Sequence, residues 1–408
     1  MSADRLNQRI HDLVAHAYAH APAVRRIMDE AGVSPDAIQS ADDLSRIPVT
    51  SKDRLIEMHR ADPPFGGWLA IDPADLPHIY VSPGPIFDPS PPNPDANDFT
   101  GPAEALRYLG IGRGDRVLNT FAYHLTPAGS LMDLLLVNAG ATVIPSGPGN
   151  TELQIMMMQA LGVTGFCGQP SYLMTLLDKC EQMGLSREQI SIKKAIFSAE
   201  PYTPMQRQRF EDEYGMKATS IYGTADLGFV GHTMDGLQGF SIADTIYLQV
   251  CDPQTGQPLP AGEIGEIVAT SFNKAYPLIR FGTGDLGNLA AEPDALTNGH
   301  QQLLGLYGRS GEAIKVRGMF LHPNQLRGAM MFFPQIKHAQ VIVTRPANSD
   351  HVRLLLEMHP GESGEGLGEQ LQALAQNAIR LRIDEVEIVE PGVIDPSERT
   401  IIDQREWE

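Results

Sequence analysis

The sequence is short of cysteine, of basic residues and of long apolar runs, and each shortage removes a class of protein. Three cysteines occur in 408 residues: Cys167, Cys180 and Cys251, widely spaced and with no C-x-x-C pair. That pattern argues against a disulfide framework or a cysteine-rich zinc site and suits a reducing compartment. Lys and Arg number 31 against 50 Asp and Glu, a formal net charge of −19. Such a surface offers no cationic field to displace counterions from a phosphate backbone, so no nucleic-acid partner is expected. The longest apolar stretches, such as Ser130–Val137, fall far short of the ~20 residues of a spanning helix. The N-terminus carries no basic region followed by an apolar segment, so no secretory signal is read. A cytoplasmic protein handling small molecules, with no membrane partner, is the expectation.

What is present is patterned. Over the first ~75 residues apolar positions recur at helical spacing. Leu6, Ile10, Leu13, Val14 and Tyr18 form one stripe, enough to bury a helix face. Ser34-Pro35 reads as a cap followed by proline at the first helical position, and Thr50-Ser51-Lys52-Asp53 resembles a capping box. From about Arg116 short β-rich pieces alternate with helical stretches: RVLNTF, ATVIPSG, VTGFCGQ, KAIFSAE and KATSIYG. Alternation of this kind predicts a parallel sheet with right-handed crossovers and ligands beyond the carboxyl ends of its strands. Past Tyr247 the texture becomes hairpin-like, with turn signals at Asp252-Pro253 and Gly262. Two strands, a helix over 366–383 and a last strand follow, so a boundary is placed near Arg309–Gly311. The expected fold is α/β: a large domain over 1–308 with parallel sheets, flanking helices and a barrel-like hairpin subdomain, and a small α+β domain over 309–408.

Several ordered stretches carry a resemblance that spans nearly the whole chain. They are GRGDRVLNTFAYHL, GATVIPSGPGNTE, CGQPSYL, SAEPYTPMQRQRF, SIYGTADLG, YPLIRFGTGDLGNL and GRSGEAIKVRGMFLHPNQL. Together they resemble the phenylacetate–CoA ligase branch of the adenylate-forming enzymes. The resemblance implies a two-step reaction in the presence of Mg²⁺. ATP and a carboxylic acid give an acyl-adenylate and pyrophosphate, and the CoA thiolate then displaces AMP. It implies an aromatic or otherwise planar acid, and it implies a homodimer. Such an enzyme must hold a carboxylate against a phosphate, offset both charges and exclude water from the mixed anhydride.

The resemblance also assigns roles residue by residue. Ser198, Ala199, Glu200 and Pro201 match the segment along the adenine; a plain strand-to-helix turn is the structural alternative. Tyr222 and Gly223 match the adenine-stacking end of the Tyr-Gly motif. Thr224 would contact the α-phosphate and Asp226 would help hold Mg²⁺, an oxygen ligand of the kind that ion needs; a helix-capping turn is the alternative for Asp226. Asp285 matches the acid that accepts from both ribose hydroxyls, for which an acceptor-only carboxylate is suited. Arg309 matches the arginine near the interdomain hinge, or an interdomain ion pair. Tyr123, His124, Phe166 and Tyr172 are candidates for the acid pocket, or packed core residues.

Three departures fall on the activation side, at the phosphate loop, the C-terminal lysine and the metal acid, where Asp226 is one methylene shorter than the usual glutamate; the hinge departs as well. The stretch aligned with the phosphate loop is Val81-Ser82-Pro83-Gly84-Pro85-Ile86-Phe87-Asp88-Pro89-Ser90. Its prolines remove amide donors and stiffen the backbone, and Asp88 stands where positive charge is expected. Gly311 and Glu312 follow Ser310 where the hinge usually has aspartate. Ser397 occupies the place of the C-terminal lysine, with Arg399 and Arg405 as nearby cations; Arg399 is the candidate substitute, although its planar fork does not reproduce an ammonium. Three readings remain open from sequence: a divergent acid–CoA ligase, an enzyme of one half-reaction or another acyl or adenylyl transfer, and a nucleotide-binding accessory protein.

Overall fold

The computed structural model describes residues 3–82, 86–90 and 100–309. It also describes 314–406 apart from 318, 322, 324, 325, 327–329, 331, 347, 348, 363, 365, 369 and 373–381. The chain divides into two compact units, Met1–Ser310 and Gly311–Glu408. The loop segment Pro83–Pro85, Gly311, Glu312 and most of the helix expected over 366–383 lie outside the described residues.

The larger unit opens with α1 (Ala3–His20), α2 (Pro22–Glu30) and, after short helical turns, α3 (Lys52–Ala61). The stripe read from sequence is the buried one: Ile10, Leu13 and Val14 are solvent-free and pack in one cluster with Leu44, Trp68, Leu278 and Phe281. Ser51 caps α3 by accepting from Arg54 N at 3.2 Å, which satisfies one of the orphan amides of the first turn. Immediately before α3, the chain adds the two-residue β1 (Thr50–Ser51). The hairpin of β2 (His78–Ser82) and β3 (Ile86–Ser90) and α4 (Thr100–Leu109) come next.

The alternating region folds as its pattern predicts. β4 (Arg116–Asn119), α5 (Ala128–Asn138), β5 (Thr142–Pro145), α6 (Thr151–Ala160), β6 (Gly165–Gly168), α7 (Pro170–Gln182) and β7 (Lys194–Phe197) lead to α8 (Pro204–Arg207) and β8 (Lys217–Thr224). The strands pair in parallel in the order β5-β4-β6-β7-β8. The 204–213 helix starts with a capping box, Thr203 with Gln206, and continues in π-type turns from Gln208 to Glu213. The hairpin region comprises β9 (Gly228–His232), β10 (Phe240–Ile242), β11 (Ile246–Cys251), β12 (Gly265–Ser271), β13 (Phe281–Leu289) and β14 (Gln302–Arg309). It continues the same sheet, because β9 pairs antiparallel with the free edge of β8. The path runs β11-β12-β13-β14-β10-β9-β8-β7-β6-β4-β5, with β1 paired to β13. β8 is therefore the seam between a parallel half and an antiparallel half.

The smaller unit has a hairpin, β15 (Ile314–Val316) and β16 (Met319–Leu321), and a four-stranded sheet. That sheet contains β17 (Ile336–Thr344), β18 (His351–Met358), β19 (Glu385–Val389) and β20 (Ile401–Asp403), in the order β19-β18-β17-β20. Val341, Val343, Val352, Leu354 and Leu356 alternate toward its core, as strands with one apolar face must. Among the described residues, no helix is long and apolar enough to cross a membrane.

Candidate active site

The parallel strands β7 and β8 end side by side, and the residues beyond them are tied together. Ser198 Oγ donates to the Ile221 carbonyl at 2.9 Å. Ala199 then turns the chain with φ of +80°, a left-handed conformation that costs a Cβ-bearing residue about 1–2 kcal/mol. Glu200 accepts from Ser171 N at 2.6 Å, so its carboxylate caps the first turn of α7, where the helix dipole favours negative charge. Pro201 is exposed.

At the end of β8 the buried Tyr222 hydroxyl donates to Asp285 Oδ2 at 2.9 Å. Arg309 Nη1 donates to Asp285 Oδ1 at 2.8 Å, because the two residues are cross-strand partners on β13 and β14. Both oxygens of the carboxylate are thus engaged while lone pairs remain on each. Gly284 has φ of +73°, and a Cβ there would stand 3.3 Å from Arg309 Nη2; glycine lets the arginine fold over the strand. Burial, then the Asp285 charge, pushes the Tyr222 hydroxyl well above its ordinary pKa, so it stays a donor.

The β8–β9 turn carries the next two candidates. Thr224 Oγ1 accepts from Leu227 N at 3.1 Å. Gly223 lets the hairpin close, since a Cβ would meet the Gly228 carbonyl at 2.8 Å. The Asp226 side chain is 2% exposed. Its Oδ2 is ion-paired with Lys52 Nζ, at the start of α3, at 2.9 Å. Its Oδ1 is buried and has no hydrogen-bond partner among the described residues.

Asp88 on β3 approaches this turn. It is 5% exposed, and neither carboxylate oxygen has a hydrogen-bond partner among the described residues; the buried Ser82 hydroxyl is in the same state. Burial first, and the Asp226 carboxylate second, push the Asp88 pKa up to about 8 against opposing influences from Ser82 and Lys52. Nearby, His59 and Tyr276 share a hydrogen bond at 2.9 Å. Burial lowers the His59 pKa to about 4 against the pull of Asp226, so the imidazole is neutral and adds no positive charge to that of Lys52.

Asp88 and Asp226 both line a cavity of about 880 Å³. Tyr123, Leu131, Asp133 and Phe229 form other parts of its wall, and among the described residues no Lys or Arg lines it. The Tyr123 hydroxyl donates to Asp133 Oδ2 at 3.0 Å and accepts from Asn119 Nδ2 at 2.8 Å. The other pocket candidates do not line this cavity. His124 is exposed. Phe166 is fully buried against Phe197. The Tyr172 hydroxyl is bound to Gln154 of α6.

The profile of the AMP-binding enzymes matches residues 103–273, which include Ser198–Pro201, Tyr222, Thr224 and Asp226. The phenylacetate–coenzyme A ligase of Thermus thermophilus is 32% identical, over 86% of this chain and 80% of that protein. That of Escherichia coli is 30% identical over 96% and 91%. The chain belongs to the phenylacetate–CoA ligase family. Its fold is that of the adenylate-forming enzymes: a 2-hydroxyisobutyryl-CoA ligase solved with an acyl-AMP and CoA superposes with a TM-score of 0.87 at 24% identity, over 99% of this chain and 90% of that one.

Within this family of AMP-forming acid–thiol ligases, the C-terminal residues of this chain are arranged for structure. Ser397 is held in a turn by Asp395, through N and Oγ at 2.8 and 2.7 Å. Arg399 is exposed and its carbonyl accepts from Gln340 Nε2 at 3.1 Å. Arg405 is committed to Asp403 at 2.6 Å and Asp350 at 3.3 Å. Two participants escape a reading by motif. Lys52 looks in sequence like nothing more than the residue after a cap. Asp133 is the single acid in the apolar helix AGSLMDLLLVN, an anomaly that marks a polar task for that helix face.

Proposed function

We propose that this chain activates a planar aromatic carboxylic acid as its acyl-adenylate and passes the acyl group to CoA. The observation that supports this most directly is the convergence of Tyr222, Asp285 and Arg309. A carboxylate with both oxygens held by fixed donors is oriented before any ligand arrives, and its remaining lone pairs suit a ribose diol. Tyr222 and the Ser198–Pro201 turn would border the base, and Thr224 would face the α-phosphate. Tyr123, Leu131 and Phe229 would enclose the flat body of the acid.

Asp226 fits Mg²⁺ in one respect: Oδ1 is a buried, unpartnered oxygen, and Mg²⁺ is commonly held by one or two carboxylates together with substrate phosphates. When bound, the ion would offset phosphate charge. Lys52 holds Asp226 Oδ2 and so fixes the direction in which Oδ1 points. Thr224, itself steadied by Leu227 N, contributes a hydroxyl at the same turn. Arg399 is the cation proposed to replace the C-terminal lysine. The test is release of pyrophosphate and formation of AMP with a panel of aromatic and short aliphatic acids. Turnover with an aromatic acid is the expected outcome, and absence of AMP formation with every acid would sink the reading.

A second reading, in which the acyl group arrives already activated, is favoured by one observation. Asp88 places a buried acid, held protonated by burial up to about pH 8, where a polyphosphate would need a cation, so this position supplies no positive charge to offset the phosphates. Acyl transfer from supplied acyl-adenylate or acyl-CoA, with no AMP formation from ATP, would select it.

A further inference from the structure

We infer that the cavity selects an acid that carries, apart from its carboxylate, a hydrogen-bond donor such as a hydroxyl, and that Asp133 on α5 is the specificity residue that reads this donor. This rests on the acid-binding reading above and narrows its substrate class.

Asp133 is aimed by a chain of hydrogen bonds that starts inside the fold. Asn119, the last residue of β4, is solvent-free. Its Nδ2 donates to the Gly129 carbonyl at 2.9 Å, and its Oδ1 accepts from Phe121 N at 3.2 Å. Those two contacts fix which end of the amide is the donor. Nδ2 therefore also donates to the Tyr123 hydroxyl, at 2.8 Å. A hydroxyl has one proton, and here it is left for Asp133 Oδ2 at 3.0 Å. Burial first, and then the bond to Asp133, raise the Tyr123 pKa, which keeps that proton on the tyrosine. Oδ2 is thus committed as an acceptor and the carboxylate is held in one orientation.

The second oxygen is left over. Oδ1 of Asp133 has no hydrogen-bond partner among the described residues, and no Lys or Arg among them pairs with this acid or lines the cavity. Access separates Asp133 from the other two acids of the wall. Asp88 is 5% exposed, and burial raises its pKa to about 8, so it stays protonated. The Asp226 side chain is 2% exposed and ion-paired with Lys52. Asp133 is half-buried, within reach of a ligand and of solvent. Solvent satisfies Oδ1 until an acid enters. An acid that covers Oδ1 without bringing a donor strands a desolvated carboxylate oxygen, which costs more than a typical hydrogen bond gains. A second carboxylate on the acid would meet a like charge instead. Leu131 and Leu134, beside Asp133 on α5, share the wall and offer the apolar surface that encloses the rest of the acid.

Isothermal titration of the full chain tests this with benzoate and phenylacetate, their meta- and para-hydroxy and amino derivatives, and the para-dicarboxylates. At least one donor-bearing acid should bind about tenfold tighter than its parent, because a site built to accept a hydrogen bond discriminates against a ligand lacking the donor. The dicarboxylates should bind about tenfold weaker than the parents. In Asp133→Asn the amide oxygen must take the Tyr123 proton, so the amide nitrogen, a donor, replaces Oδ1. The donor preference should then fall to about twofold or less, and the dicarboxylates should recover. Asp133→Leu should lose the donor preference too, and thermal melts report that both variants are folded. Equal affinity for donor-bearing and parent acids overturns the inference and leaves the acid-binding reading standing. So does a preference that persists in folded Asp133→Asn. Failure of every acid to bind removes both.

Discussion

Asp285 and Asp88 are both carboxylates on strands of the larger unit, and they differ in how far the fold provides for them. Asp285 is met by Tyr222 and Arg309 at 2.9 and 2.8 Å. Asp88 has no such partner and faces a second buried acid instead. The first arrangement is complete without a ligand, which is what orientation of a diol requires. The second is incomplete, and incompleteness concentrated in a cavity is where binding specificity resides. The contrast also separates two kinds of mutational response: loss at the satisfied pole and gain of stability at the unsatisfied one.

The strongest way to break the contrast is Asp285→Ala, which removes the acceptor and leaves Arg309 without its carboxylate. Affinity for AMP should fall about a hundredfold, since hydrogen bonds to a charged group contribute about 1.5–3 kcal/mol each; calorimetry with AMP measures it. Next is Lys52→Met, which strands the Asp226 carboxylate. Buried pairs broken from one side cost about 3–5 kcal/mol. With 20% of the lysine side chain exposed, a loss of about 2–3 kcal/mol is expected in urea denaturation.

Asp88→Asn should move the other way. The Asp88 pKa is raised from 3.8 to about 8 in the folded chain. The folded state therefore binds more protons than the unfolded state between those values. Stability falls as pH rises through that window. Asparagine removes the titration, so the variant should gain about 2 kcal/mol near pH ~8 and nothing near pH ~4, flattening the profile. Melting temperatures across that range decide it; an unchanged slope would show that Asp88 is not the group responsible.

Smaller effects sharpen the picture. Tyr222→Phe deletes one donor to Asp285 and should weaken AMP binding about fivefold, in line with a net hydrogen bond of ~1 kcal/mol. Ala199→Gly relieves a left-handed φ of +80°. Because glycine adds unfolded-state freedom, a net gain of no more than about 1 kcal/mol is expected. If that variant also weakens AMP binding, the turn serves the nucleotide as well as the chain path.

The sequence made the parallel half legible because its strands are short β-rich pieces at regular spacing, and β4 to β8 appear where RVLNTF to KATSIYG stand. It also singled out Tyr222 and Asp285, whose motifs are local and which the fold joins by a hydrogen bond. It did not reveal Lys52–Asp226, a pair 174 positions apart, or that Phe166 and Tyr172 point into packing, because side-chain direction depends on which face of the sheet a strand presents. Asp88 was visible as a misplaced charge. Its isolation beside Asp226 required the hairpin to be folded against the β8–β9 turn. The hairpin strands beyond Tyr247 read as a separate subdomain in sequence, since nothing local says that β9 will take the open edge of β8.

One pairing bears on the order in which this protein is made. Thr50 and Ser51 lie in register with Phe281 and Gly282, about 230 residues later, and Phe281 shares a core cluster with Ile10, Leu13 and Val14. A nascent chain therefore presents its N-terminal helices to the cell with their apolar faces uncovered until most of the larger unit has left the ribosome. Contacts of such sequence separation form slowly. Residues 3–61 are synthesised well before the strand that encloses them, and that interval is where a chaperone would find this chain.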